Sequence, residues 1–147
     1  MMPKPIKSVF FDFDGTIANS ETFHYECMNL VLNNFGSNLE ASDYFKNYAG
    51  IPTNIACAML VKQYPNMNIT AEKLIIEIES FVKLREMDHV PELMPYAKEC
   101  IDFFSRYGVQ MGIVTASNYE SVASFMKKTN LESYFSFIVT FDDVTSS

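Results

Sequence analysis

The stretch that most restricts what this chain can become is Ser8-Val9-Phe10-Phe11, followed at once by Asp12-Phe13-Asp14-Gly15-Thr16. A short, continuous apolar run that ends abruptly in polar residues reads as a strand buried on both faces, the kind found in parallel sheets. Two more such runs lie further on, at Val109 to Val114 and Phe137 to Thr140. Strands alternating with helices imply right-handed crossovers and a parallel sheet, and a ligand site outside the carboxyl ends of its strands. Those ends are Asp12, Thr115 and Asp142, each polar directly after an apolar run.

The text between the first two strands is helical. From Asn19 to about Met87 the pattern predicts four helices and no strand. Ser20 caps the first, which runs to Phe35 with Gly36 as its stop and Phe23, Cys27, Leu30, Val31 and Asn34 on one face. A short one fits Ser42 to Tyr48, and Thr53 caps the next, ending near Gln63. Thr70 starts the last, where Leu74, Ile75, Ile78, Phe81 and Val82 follow helical spacing. Asp88 to Pro95 holds two prolines and reads as a linker. A helix over Tyr96 to Tyr107 buries Ala97, Cys100, Ile101 and Phe104 and closes at Gly108; another runs through Val122, Phe125 and Met126. The expected organisation is α/β, with a discontinuous core at 1–18 and 88–147 and a helical insert at 19–87.

Composition removes several classes. The formal charge is −7, from 11 basic and 18 acidic residues. A nucleic-acid surface needs a basic patch, and Lys127-Lys128 is the one adjacent basic pair, so nucleic acid is not expected as a partner. No apolar run approaches the roughly 18 residues that span a bilayer, and the N-terminus lacks a signal-peptide core, so no membrane partner is expected either. Cys27, Cys57 and Cys100 are far apart and form no CxxC; they read as buried, reduced thiols of a cytoplasmic protein. The nine methionines and thirteen phenylalanines read as packing. His24 and His89 read as structural or surface residues.

Asp12 and Asp14 carry the chemistry. Two residues apart, they project to the same side of an extended chain. Carboxylates that close repel, so one takes a proton unless a cation is present. One can be a nucleophile, as in enzymes that form an aspartyl phosphate. The other can protonate a leaving oxygen and later deprotonate water. Mg²⁺, a hard cation held by carboxylates and phosphate oxygens, suits the pair. Gly15 permits a tight turn that brings backbone N–H groups near an anion. The competing reading of Asp-Gly is a hairpin turn, but helical text follows rather than a partner strand. Thr115 offers a hydroxyl and helix N-terminal amides to an anion; the plain alternative is an N-cap by Thr115, Ser117 or Asn118. Asp142-Asp143 reads as a further acidic ligand or as a solvated turn.

Phe10-Phe11-Asp12-Phe13-Asp14-Gly15-Thr16-Ile17-Ala18-Asn19-Ser20 resembles the first motif of the haloacid dehalogenase-like hydrolases. More narrowly it is similar to the branch holding phosphoglycolate phosphatase and beta-phosphoglucomutase, in which a four-helix cap follows that motif. Gly112-Ile113-Val114-Thr115-Ala116-Ser117-Asn118 resembles the second motif. The resemblance implies a Rossmann-like parallel-sheet core, here incomplete, with an inserted four-helix cap. It implies a Mg²⁺-dependent phosphatase that hydrolyses a small phosphorylated metabolite through an aspartyl phosphate. On it, Asp12 is the nucleophile and Asp14 the general acid/base, with Asp12 and the Asp14 carbonyl binding Mg²⁺. Thr115 and the Ala116 amide hold the phosphoryl group. An acid at position 14 favours phosphate-ester chemistry, since the family's dehalogenases lack one there.

The family's third motif, a lysine, and its fourth, an acidic pair after a further strand, have no counterpart before Ser147. The sequence is therefore expected to be truncated at its C-terminal end. Lys127 or Lys128 and Asp142-Asp143 are the alternative substitutes, although the two lysines fall in a helix where the family does not place its lysine. Two other readings stand beside the phosphatase: a phosphomutase of the same family, and a catalytically incompetent binding module. The sequence sets neither the substrate nor the oligomeric state.

Overall fold

A computed structural model describes residues 5–143. The elements run β1 (Ser8–Phe11), α1 (Ser20–Asn34), α2 (Ala41–Asn47), α3 (Thr53–Gln63), α4 (Ala71–Asp88), α5 (Ala97–Arg106), β2 (Gln110–Val114), α6 (Tyr119–Lys128) and β3 (Phe137–Val139). Short 3-10 turns lie at Pro65–Met67, Glu132–Tyr134 and Phe141–Asp143. The chain divides into two compact units: one is formed by its two ends, up to Ser20 and from Val90, the other by Glu21–His89.

The first unit is a three-stranded parallel sheet, ordered β1-β2-β3, as the alternating text predicts. Its register pairs Phe10 with Gly112 and Gly112 with Phe137, and Phe11 with Ile113 and Ile113 with Ile138. Side chains alternate across a strand, so these two rows lie on opposite faces. The row of Phe11, Ile113 and Ile138 joins Met111, Ile101 of α5, and Val122, Phe125 and Met126 of α6 in one core.

The other face corrects the expectation of a strand buried on both sides. Phe10 is 62% exposed, Val114 47% and Phe137 39%. The physical reason is handedness: two successive right-handed crossovers in the order β1-β2-β3 place α5 and α6 on the same face. Phe10, Val114 and Phe137 on the open face are as apolar as their neighbours on the packed face, so composition alone hides the asymmetry. On the open face the Phe10 and Phe137 rings meet at 5.5 Å between centroids. The Phe137 ring lies across Gly112, where a Cβ would run into it.

The second unit holds α1 to α4. Its core draws Met28, Val31 and Leu32 from α1, Cys57 and Leu60 from α3, and Leu74 and Ile78 from α4. The buried apolar residues of α1 are Phe23, Cys27, Met28, Val31 and Leu32; Leu30 is 45% exposed and Asn34 is exposed, against the expected face. A stripe at i, i+4, i+5, i+8 and i+9 is about as wide as an amphipathic helix uses, and Leu30 falls outside it. Thr70 caps α4 by accepting the Lys73 N–H at 3.3 Å. Thr53 is the first residue of α3, after Pro52 at the cap position, rather than a cap. Arg85 of α4 pairs with Glu26 of α1 at 2.7 Å and lies over the Phe23 ring.

The thiols depart from expectation at one position. Cys27 and Cys57 are buried, and burial pushes each up to about 11. Cys100 is exposed, because Ala97 and Ile101 take the inner face of α5 and leave it at the margin. The thiolate is the reactive form. A disulfide reagent added to the native protein at pH 8 is therefore expected to consume one thiol rapidly. Cys100→Ser should remove that phase; a rapid phase surviving in the variant would contradict the burial of the other two.

Candidate active site

The site is built at the carboxyl ends of β1 and β2, within the first unit. Past Phe11 the chain alternates once more: Asp12 and Asp14 are exposed, and Phe13 between them is 3% exposed. The Phe13 ring packs edge-on against Phe125 of α6 at 5.0 Å. Burying the middle residue is what sends both carboxylates outward. The backbone then closes on itself. The Phe13 carbonyl accepts the N–H groups of Thr16, Ile17 and Ala18 at 3.3, 2.9 and 3.0 Å, and the Gly15 N–H donates to Ala18 O at 2.8 Å. Gly15 takes a left-handed φ of +67°, a conformation that favours glycine. Asp12 Oδ1 accepts the Phe13 N–H at 2.7 Å.

On the neighbouring strand, Thr115 follows β2 directly. Its N–H donates to Val139 O at 3.0 Å, and its Oγ1 accepts the Ser117 N–H at 3.1 Å. The Phe141 N–H donates to the Ser117 carbonyl at 3.1 Å. Ala116, between them, is exposed. The Ser117 hydroxyl donates to Asp14 Oδ2, which joins the β1 turn to the β2 turn.

Of the three candidate caps for α6, Asn118 is the one used: its Oδ1 accepts the Ser121 N–H at 2.9 Å. Asp142 also serves that helix end, its Oδ2 accepting the Tyr119 N–H at 2.7 Å. A carboxylate at a helix N-terminus is favourable both for the hydrogen bond and for the helix dipole. Asp143 accepts from the Thr140 N–H at 2.8 Å and hydroxyl at 3.0 Å, and the bond from the Thr140 backbone, then that from its hydroxyl, holds the carboxyl below the usual range. Asp142 thus ties the turn after β3 to the start of α6, and Asp143 closes that turn on Thr140. Lys127 and Lys128 sit in the last turn of α6. At 1.5 Å per residue that is roughly 12 Å along the axis from its start beside Ser117. Among the described residues no group of three or more His, Cys, Asp and Glu stands together. His24 and His89 are exposed on the second unit.

The structure therefore brings Asp14 together with the Thr115–Ser117 turn. Sequence reasoning gave Ser117 only a capping role. Its contact with Asp14 spans 103 positions and is visible only once β1 and β2 are paired in register.

This geometry has counterparts. The protein of Bacillus subtilis (strain 168) named "Putative phosphatase YhcW" is 28% identical over 141 residues, 95% of this chain and 62% of that relative. Pyrophosphatase PpaX of Oceanobacillus iheyensis is 23% identical over 140 residues, with the same two coverages. The chain thus spans 62% of the length of either relative. Among solved structures, a "predicted phosphoglycolate phosphatase" from Haemophilus somnus 129pt superposes with a TM-score of 0.76 at 17% identity, over 96% of this chain and 65% of that one. That likeness shows a shared fold, a Rossmann-like core. The family described as haloacid dehalogenase-like hydrolase matches residues 9–147, and the chain belongs to it.

Proposed function

We propose that the full-length protein hydrolyses a small phosphorylated metabolite, with Asp12 as nucleophile and Asp14 as general acid and base. The observation that carries this reading is the pair of exposed carboxylates flanking buried Phe13, with the Thr115–Ser117 turn beside them. Family membership and relatives named as a phosphatase and a pyrophosphatase support it.

The chemistry follows from the roles. The Asp12 carboxylate attacks phosphorus, a bond from its oxygen to phosphorus forms, and the ester P–O bond breaks. Asp14, protonated, gives its proton to the departing oxygen. Asp14, now a carboxylate, takes a proton from water as the water attacks the aspartyl phosphate; phosphate leaves and Asp12 is restored. The Thr115 hydroxyl and the Ala116 N–H hold the phosphoryl oxygens, where charge accumulates.

The donor set fits Mg²⁺. Asp12 offers a carboxylate and Asp14 its backbone carbonyl, both hard oxygens, which leaves the Asp14 carboxyl for the proton. Mg²⁺ usually takes only one or two carboxylates and completes its shell with phosphate and water. Bound there, the ion would neutralise charge on the phosphoryl group. Chelator is expected to abolish hydrolysis of 4-nitrophenyl phosphate by the full-length protein, and added Mg²⁺ to restore it. Undiminished turnover in chelator would count against these two residues as a metal site.

A further inference from the structure

The Ser117 hydroxyl has no capping duty, because Asn118 and Asp142 already satisfy N–H groups at the start of α6. Its backbone is fixed at both ends. The N–H is committed to Thr115 Oγ1, and the carbonyl accepts from Phe141 N. With the main chain anchored to the turns after β2 and β3, the side chain keeps only its χ1 freedom, and the hydroxyl is spent on Asp14 Oδ2. Asp14 has the opposite character. It is exposed, and it stands next to Gly15 in a turn held by its own backbone bonds rather than by packing of its side chain.

We infer that Ser117 is a positioning residue for the acid/base carboxyl: by donating to Oδ2 it fixes the Asp14 carboxyl plane and leaves Oδ1 to carry the transferred proton. This inference rests on the proposed acid/base role of Asp14 and adds the group that orients it. A protonated carboxyl has one O–H and one carbonyl oxygen. A donor on Oδ2 makes Oδ2 the carbonyl oxygen and Oδ1 the protonated one. As the ester bond breaks, the Oδ1 proton passes to the leaving oxygen, and Asp14 becomes a carboxylate that still accepts from Ser117. A charge-assisted bond is shorter and stronger than a neutral one, so the contact tightens in the same step. Geometry of this kind matters because small misplacements of a proton donor lose much of the advantage of proximity.

The test uses two aryl phosphates of similar shape on the full-length protein. The phenol released from 4-methylphenyl phosphate resembles the tyrosine side chain, with a pKa of about 10, and needs its proton. The one released from 4-nitrophenyl phosphate is a far better leaving group. The value of kcat/KM reports transfer to Asp12, before water enters. In Ser117→Ala it should fall about tenfold more for the methyl than for the nitro substrate, a modest part of what a general acid supplies. Ser117→Thr, which keeps the hydroxyl, should restore most of the ratio.

Asp14→Asn is measured alongside, and should show the same selectivity more strongly. If Asp14→Asn shows no selectivity, the acid/base reading itself is wrong and the inference goes with it. If Asp14→Asn is selective and Ser117→Ala lowers both substrates equally, or raises KM alone, or changes nothing, the positioning role is overturned while the reading of Asp14 stands. Unfolding midpoints of the variants show whether an equal loss comes from misfolding, an outcome that also contradicts a positioning role.

Discussion

Asp12→Asn in the full-length protein is expected to lose essentially all hydrolysis of an aryl phosphate, on the order of a thousandfold or more, as removal of a catalytic nucleophile does. The substitution is a clean one on structural grounds. Asn keeps the size of Asp and an oxygen that can accept the Phe13 N–H, the bond that Asp12 Oδ1 makes at 2.7 Å. Asp12 is exposed, so no buried charge is created or removed. The unfolding midpoint should therefore barely move while the initial rate collapses. A variant that folds normally and still turns over at the parent rate would remove Asp12 from the mechanism.

The second large effect is on stability. Phe13→Ala is expected to lower the unfolding free energy by about 3–5 kcal/mol, the usual cost of truncating a buried phenylalanine. Phe13 is 3% exposed and its ring meets Phe125 edge-on at 5.0 Å. Domains of this size hold only about 5–15 kcal/mol in total, so the loss is a large fraction of the whole. Phe13→Leu should cost distinctly less, because most of the volume is retained. Urea unfolding monitored by circular dichroism measures both. Equal midpoints for Phe13→Ala and the parent would mean that the ring is not the anchor of the Asp12–Gly15 turn. That anchoring is also why one residue serves two ends here: the apolar side chain between the two acids ties the reactive turn to α6.

What the sequence disclosed, and what it withheld, divides along physical lines. Local signals were sufficient for the alternation of strands and helices, for the stop at Gly36, and for Thr70 as the cap of α4. Each of these depends on residues within one turn of one another. The apolar run at Ser8–Phe11 announced a parallel strand correctly, yet not that one of its faces is open. That asymmetry arises from the hand of two crossovers and the order of three strands, and no window of residues contains it. Several apolar residues in a row of α1 allow more than one inward stripe, and packing with α3 and α4 selects Met28, Val31 and Leu32 over Leu30. Cys100 is exposed for a related reason: an apolar neighbourhood in sequence is not a buried position on a helix.

The same division holds at the site. That Asp12 and Thr115 directly follow apolar strands, with Asp14 two residues beyond the first, was legible in the sequence. The roles of Asp142, Asp143 and Ser117 were not, since they depend on which strand end lies beside which. Asp142 turned out to hold the start of α6, and Asp143 the Thr140 turn. The Ser117–Asp14 bond requires β1 and β2 to be neighbours.

Trapping a phosphorylated Asp12 shows whether the phosphoryl group passes through that side chain. The full-length protein would be mixed briefly with 4-nitrophenyl phosphate and Mg²⁺, quenched in acid, reduced with borohydride and digested. An acyl phosphate is reduced to the corresponding alcohol, so mass spectrometry is expected to find homoserine at position 12 and aspartate at position 14. Turnover with Asp12 unmodified at every quench time, or reduction located at Asp14 instead, would contradict it.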